Sequence, residues 1–188
     1  TEGWLLAIRL ETHVLRIERA PGGRILSVVD PEGRTMRFRY DRQNHLMAID
    51  HPQGTWRYKV LPAGQLAAVE APSGNRRLYR YEDPGFPFAL TAIEVASPAL
   101  KRRVTLSQWH YDAQGRVRQY EGWQGERMQF GYQSADAAGV LQTEVEDRQG
   151  RKQTYRYRNF NGSWQTLSIT GQQCAHCRLA DRDYRYDE

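Results

Sequence analysis

The residues that most readily suggest chemistry in this chain are two cysteines flanking a histidine, in Cys174-Ala175-His176-Cys177. A Cys-x-x-Cys pair forms a disulfide, a redox couple or half of a zinc site. Zinc takes four ligands, and His176 is poorly placed between the cysteines, so a zinc site needs ligands from distant segments. A redox pair of the thioredoxin type needs a helix after a strand, and no such pattern precedes Cys174. The sequence therefore favours a disulfide between Cys174 and Cys177, or inert thiols, over a metal site or a redox pair.

No other group of residues stands out as a catalytic site. The histidines are scattered through the chain, and no Ser-His-Asp set or carboxylate pair is distinguished by its context. Four acidic residues recur at what reads as one position of a repeat, which predicts a turn-stabilising role through bonds to the following backbone amides. These residues are Asp30, Asp50, Glu70 and Asp147. The sequence predicts neither an enzyme nor a cofactor or metal site.

The elements around these residues carry a repeat whose mark is the dipeptide Tyr-Asp at the end of a strand-like run. Its fullest copy covers residues 111–117, with the sequence YDAQGRV. Tyrosines that we interpret as strand ends fall at intervals of 18 to 30 residues: Tyr40, Tyr58, Tyr81, Tyr111, Tyr132, Tyr157 and Tyr186. The residues assigned a structural role in the motif are Tyr40, Asp41, Tyr111, Asp112, Gly115, Arg116, Tyr186 and Asp187. Repetition on this scale indicates an array rather than a domain with one unique core.

Each repeat reads as a β-hairpin. A proline followed two residues later by a glycine, as in Pro31 and Gly33, supplies the turn between two strands. Apolar and aromatic residues alternate with basic ones along the second strand, which predicts a sheet with one packed face and one wet face. The alternation is clear where Met36, Phe38 and Tyr40 interleave with Arg37 and Arg39. No segment has the periodicity and length of a substantial helix, so the sequence predicts an all-β fold.

Composition and charge limit the classes of partner. The formal net charge is +5, with 24 arginines against 3 lysines, and the isoelectric point is about 9.4. Arginine suits phosphate and carboxylate, but the 22 acidic residues favour cross-strand ion pairs on a solvated face over a nucleic-acid or other polyanion site. No apolar run approaches the length of a membrane span.

The motif of residues 111–117, the turn at 30–34 and the segment 81–93 together resemble the Rhs/YD-repeat family of bacteria. The resemblance covers about residues 23–188, which we expect to form the repeat array, with leading strands or a partial repeat in residues 1–22. It implies that successive β-hairpins form a twisted or spiral antiparallel sheet that is part of a hollow shell. In family members the shell often holds a C-terminal toxin that an aspartyl autoprotease releases. The protease signature is absent from this chain, so no catalytic residue is carried over.

The function implied by this resemblance is a non-catalytic segment of a shell that encloses or presents a C-terminal toxin in a secreted or delivered bacterial protein. Its setting would be interbacterial competition, at the cell surface or outside the cell. Its partners would be the remainder of the same shell and the enclosed toxin, since the chain is expected to be a fragment of a longer shell. The alternative is a cell-surface adhesion or carbohydrate-binding array of the same fold, with a glycan as partner.

Overall fold

A computed structural model describes residues 3–99, 102–172 and 181–186, and it contains strands and no helix among them. The chain divides into two compact units, residues 1–80 with 94–104 and residues 81–93 with 105–188. The strands of the first unit are β1 (Ala7–Leu10), β2 (His13–Arg19), β3 (Ile25–Val29), β4 (Thr35–Tyr40), β5 (Leu46–His51), β6 (Gly54–Val60), β7 (Leu66–Glu70) and β8 (Arg76–Arg80). Strand β9 (Ala92–Ala96) contributes residues to both units.

The second unit contains β10 (Val104–Tyr111), apart from its first residue, followed by six more strands. These are β11 (Val117–Gly122), β12 (Arg127–Gln133), β13 (Val140–Asp147), β14 (Lys152–Phe160), β15 (Ser163–Gly171) and the short β16 (Arg182–Asp183). Strands β1 to β8 pair antiparallel in chain order, and so do strands β10 to β16. The prediction of an all-β fold built from successive antiparallel hairpins is confirmed.

Most of the hairpins are closed by one kind of turn. In this turn the backbone N–H of the first residue donates to the carbonyl of the fifth, and the N–H of the fourth donates to the carbonyl of the first. Nine such turns occur in the described part of the chain, beginning at Ala20, Asp30, Asp41, Leu61, Ala71, Asp112, Gly122, Asp136 and Asp147. The fourth residue has a φ between 70° and 93°, which explains why it is glycine in every case except Asn44. A glycine at the fourth position therefore marks eight of these nine turns in the sequence.

The strand pairing places unlike residues on the two faces of the first unit. Phe38 pairs with Ile49, which pairs with Trp56, and Tyr58 pairs with Val69; we call the face that these residues share the aromatic face. On the opposite face Arg37 pairs in register with Asp50, and Arg57 with Glu70; we call it the arginine face. The predicted alternation therefore holds across several strands, because opposite residues of paired strands lie on the same side of a sheet.

Each unit is a single layer of strands. Within a unit, packing runs between consecutive strands, and the described residues form no second layer over either face. Buried apolar residues are accordingly few: Ala48, Val140, Val145 and Ile169. Several large apolar side chains are exposed by contrast, among them Leu10 at 74%, Phe88 at 68% and Trp123 at 62%. Stability in such a sheet must come from contacts along the strands and at their ends, since there is no thick core to supply it.

Candidate functional site: the capped turn and the tyrosine at the strand end

An aspartate at the first position of the turn caps the turn from inside. The Oδ1 atom of Asp112 accepts hydrogen bonds from the backbone N–H groups of Gln114 and Arg116, both at 2.9 Å. Its Oδ2 atom accepts a bond from Nε of Arg116 at 2.8 Å. The same two amide bonds recur at four other aspartates; these five, the capping aspartates, are Asp30, Asp41, Asp112, Asp136 and Asp147. The side chain that fits this geometry is a short carboxylate, because it must reach the amides of the second and fourth residues after its own.

These bonds change the acidity of four capping aspartates. Partial burial acts to raise the pKa of Asp112, but the hydrogen bonds from the backbone and guanidinium of Arg116 and from the amide of Gln114 favour the ionised form and outweigh it. The net pKa of Asp112 is therefore lowered. The pKa values of Asp30, Asp41 and Asp147 are lowered by the same balance of burial against hydrogen bonds.

The tyrosine that precedes the turn makes a second contact, one that the sequence reasoning missed. The hydroxyl group of Tyr132 donates to the backbone carbonyl of Val117 at 2.7 Å, reaching from the end of β12 to the start of β11. The same tyrosine contact joins Tyr40 to Ile25 at 2.8 Å, Tyr111 to Leu90 at 2.6 Å and Tyr186 to Thr166 at 2.7 Å. Burial raises the pKa of Tyr132, and the nearby Asp112 carboxylate raises it further, so the hydroxyl keeps its proton and can donate.

An arginine links the capped turn to the tyrosine contact. The guanidinium of Arg116 lies over the ring of Tyr132, 4.4 Å from its centre, while it also pairs with Asp112. The guanidinium of Arg24 lies over Tyr40 in the same way, at 4.9 Å. In both cases the tyrosine follows the arginine by sixteen residues (132 − 116 and 40 − 24). A Gly-Arg pair with a tyrosine at this interval is the sequence signal that could have revealed the contact.

The segment 81–93 adds a packing contact of its own. The ring of Phe86 lies 6.4 Å from that of Tyr111, centre to centre. A Cβ atom built on Gly115 would lie 2.9 Å from the same Phe86 ring. Gly115 is therefore required twice, by its φ of 76° and by the aromatic ring that covers it.

Two of the four acidic residues expected to stabilise turns do not do so. Asp50 lies in β5, where it accepts bonds from Arg39 at 3.0 Å and from the hydroxyl of Thr55 at 2.8 Å. Glu70 pairs with Arg76 across the hairpin at 2.6 Å. The prediction was wrong for both because they lie one residue before the turn. Asp30 and Asp147, in contrast, hold the first position of the turn and cap it.

The interpretation of Tyr58 and Tyr157 as strand-ending tyrosines is also wrong. Strand β6 continues to Val60, which holds the place before the turn that Tyr40 holds in β4. Strand β14 continues to Phe160, three residues beyond Tyr157. Period-two alternation does not show where a strand stops, so the strand ends were placed two and three residues too early.

The remaining predicted residues are only partly described. Tyr186 makes its tyrosine contact and packs on Phe160 with ring centres 5.6 Å apart. Cys174, Cys177 and Asp187 lie outside the described residues, so the predicted disulfide stays a prediction. Within the described ranges, no group of three or more histidine, cysteine or acidic side chains is arranged to hold a metal ion. None of the described segments is a helix that could cross a membrane.

Basic side chains on the strands of both units pair with acids. Arg39 pairs with Asp50 at 2.9 Å, and Lys152 pairs with Glu144 at 2.8 Å in the second unit. These pairs are substantially exposed, so each contributes only about 0–1 kcal/mol. Their effect is to balance charge along the strands.

Comparison with known proteins agrees with this geometry. The model of the RHS Repeat family matches residues 21–55, which contain two of the nine turns in full, at 30–34 and 41–45. A stretch of 93 residues, 48% of the chain, is 29% identical to Double-stranded DNA deaminase toxin A of Burkholderia cenocepacia (strain H111). The match takes up 6% of that protein, so the chain spans a small part of its relative's length.

The fold has a counterpart among solved structures. A crystal structure of TcdB2-TccC3 superposes with a TM-score of 0.56 and 15% sequence identity, over 87% of this chain and 9% of the other. At this identity the likeness concerns the fold alone. Residues 21–55 thus match the RHS Repeat family, and the capped hairpin of that segment recurs along the described part of the chain, in agreement with the resemblance seen in the sequence.

Proposed function

We propose that this chain is a non-catalytic segment of the wall of an Rhs/YD-repeat shell, which encloses or presents a C-terminal toxin in a secreted or delivered bacterial protein. The observation that carries the proposal is the single layer of like hairpins, each packed only on its chain neighbours within its unit. Such a sheet has two accessible faces and can be lengthened hairpin by hairpin, which suits a wall better than a catalytic domain.

The name of the curated relative supports the association with a toxin. The deaminase activity in that name belongs to the relative, of which this chain matches a small part. Zinc deaminases carry an H-x-E and a P-C-x-x-C motif. In this chain glutamine precedes Cys174, and no histidine is followed two residues later by glutamate. The sequence therefore supports a structural part rather than the catalytic one, and the toxin names in the comparisons do not favour the adhesion or carbohydrate-binding alternative.

The proposal includes the organisation and partners expected from the sequence. Residues 23–188 would form the array and residues 1–22 its leading strands. The partners would be the remainder of the shell and its toxin, and the capped turn with its tyrosine contact would keep neighbouring hairpins in register. The disulfide between Cys174 and Cys177 is part of the same proposal.

Protease protection of the toxin tests the role of the wall. In the complete protein that carries this chain, the segment C-terminal to the repeats should resist limited proteolysis, and the same segment produced alone should be cut quickly. The double substitution Asp112→Ala and Asp147→Ala, which removes two turn caps, should speed the cleavage, whereas Glu144→Gln on the exposed strand surface should not. Equal cleavage rates for the enclosed and the isolated segment would contradict the proposal.

A direct assay tests the absence of catalysis. The 188-residue chain incubated with double-stranded DNA should form no more uracil than buffer alone, as measured by uracil excision and strand cleavage. Uracil that accumulates in proportion to the chain's concentration would show that this segment is catalytic.

A further inference from the structure

The first unit contains an open apolar cleft on its aromatic face. The cleft lies at one end of strands β6 to β9 and has a volume of about 560 Å³. Its apolar lining includes Trp56, Val69, Tyr79, Val95 and Ala96. Trp56 is 41% exposed although it stands among apolar neighbours. A concave apolar surface of this size is typical of sites that bind a ligand or a side chain of a partner.

One residue of the cleft departs from the alternation of the strand. Arg77 pairs in register with Val69, so its side chain lies on the aromatic face, whereas Leu78 takes the next position on the arginine face. Arg76, on the arginine face, is held by Glu70 at 2.6 Å. Arg77 is exposed, and among the described residues its guanidinium has no hydrogen bond and no ion pair. A break in an otherwise regular pattern is expected where function outweighs local preference.

The charge of the cleft points to the chemistry of its occupant. Arg77 lines the cleft from the aromatic face, Arg76 borders it at the strand end, and none of the lining residues is acidic. Only one of these arginines has a carboxylate partner in the structure. An arginine at the rim of an apolar surface offers a planar fork of donors that fits a carboxylate. An apolar side chain in the cleft and a carboxylate at its rim would therefore be recognised together.

We propose that this cleft binds an extended peptide in which a large apolar side chain is flanked by aspartate or glutamate. The apolar side chain packs against Trp56 and Val69, and the carboxylate pairs with Arg77. The proposal concerns the first unit alone and does not require that the chain be part of a shell. Its failure would leave the proposed function standing, because the two are measured by different assays.

The probes are two fluorescein-labelled peptides, EEFELEE and its neutral counterpart QQFQLQQ, and the readout is fluorescence anisotropy with the 188-residue chain. The acidic peptide should bind at least tenfold more tightly than the neutral one at low salt. Arg77→Gln should remove that difference and leave the affinity for the neutral peptide unchanged. Ala96→Trp, which fills the cleft, should weaken the binding of both peptides.

Arg37→Gln is the matched control. Arg37 is an exposed arginine on the arginine face of the same unit, and the described residues provide it with no ion pair. Its substitution lowers the net charge of the chain by the same amount but leaves the cleft intact. The proposal is overturned if neither peptide binds, if both bind equally, or if Arg37→Gln lowers the affinity for the acidic peptide as much as Arg77→Gln does. Circular dichroism of each variant shows whether the sheet is retained, and exposed Arg77 can change without altering the packing of the sheet.

Discussion

The tyrosine contact predicts a measurable cost for the loss of a single oxygen atom. Tyr132→Phe keeps the half-buried ring and its stacking with Arg116 but removes the hydroxyl group that donates to Val117 at 2.7 Å. The net contribution of such a hydrogen bond is about 1 kcal/mol. With a urea m-value of about 2 kcal/mol/M, this free energy corresponds to a decrease of about 0.5 M in the midpoint of unfolding. Equilibrium urea unfolding followed by circular dichroism would measure it.

Tyr120→Phe is the control for this experiment. Tyr120 is half-buried in the same unit and packs on Trp109 with ring centres 5.9 Å apart. The described residues include no hydrogen-bond acceptor for its hydroxyl, so the substitution should leave the midpoint within about 0.1 M of the unmodified chain, near the precision of such a measurement. Equal midpoints for the two variants would refute the reasoning, because the stabilisation would then come from the rings alone.

Three further predictions follow from the turns. Gly115→Ala should lower the thermal midpoint of unfolding more than Gly139→Ala does. Both sites require a positive φ, but only at Gly115 would the added Cβ meet the ring of Phe86. Equal thermal midpoints for the two variants would contradict this contact. Asp30→Ala should lower the urea midpoint more than Asp50→Ala, because it removes a turn cap rather than a strand pair on the surface; the reverse order would contradict the assignment of the caps. The capping aspartates with lowered pKa contribute stability that is complete above their unfolded pKa of about 3.9 and is lost as the pH falls through their folded pKa, so the urea midpoint should fall below about pH 4. Replacing these four residues by asparagine should flatten this acid dependence, and an unchanged pH profile would show that other groups cause it.

The sequence was sufficient for the fold because hairpins are specified locally. Turn residues and period-two alternation lie within a few positions of the bonds that they form, so strands and turns could be located without any knowledge of distant contacts. The one-residue error at Asp50 and Glu70 shows the limit of this reasoning. In those two hairpins one residue separates the acid from the proline that follows it. The hydrogen bonds show which residue opens the turn.

The tyrosine contact could not be predicted from the alternation alone. Alternation assigns Tyr132 to a face but does not show where its hydroxyl group reaches, which depends on the pairing of β11 with β12. The position of Arg77 could be read from the sequence, since it interrupts the apolar positions of β8. The significance of Arg77 depends on the absence of an acidic neighbour. The neighbours of Arg77 come from several strands, so this absence becomes clear only in the folded unit.

The capped turn has a consequence for how such a gene can change. All bonds that close it lie within five consecutive residues, so its geometry does not depend on which segments precede or follow it. Unequal crossing-over between two copies would delete or duplicate one or more whole strands and leave a complete loop at the junction. Lineages could therefore gain or lose strands without losing a turn, while the side chains exposed on each strand diverge independently.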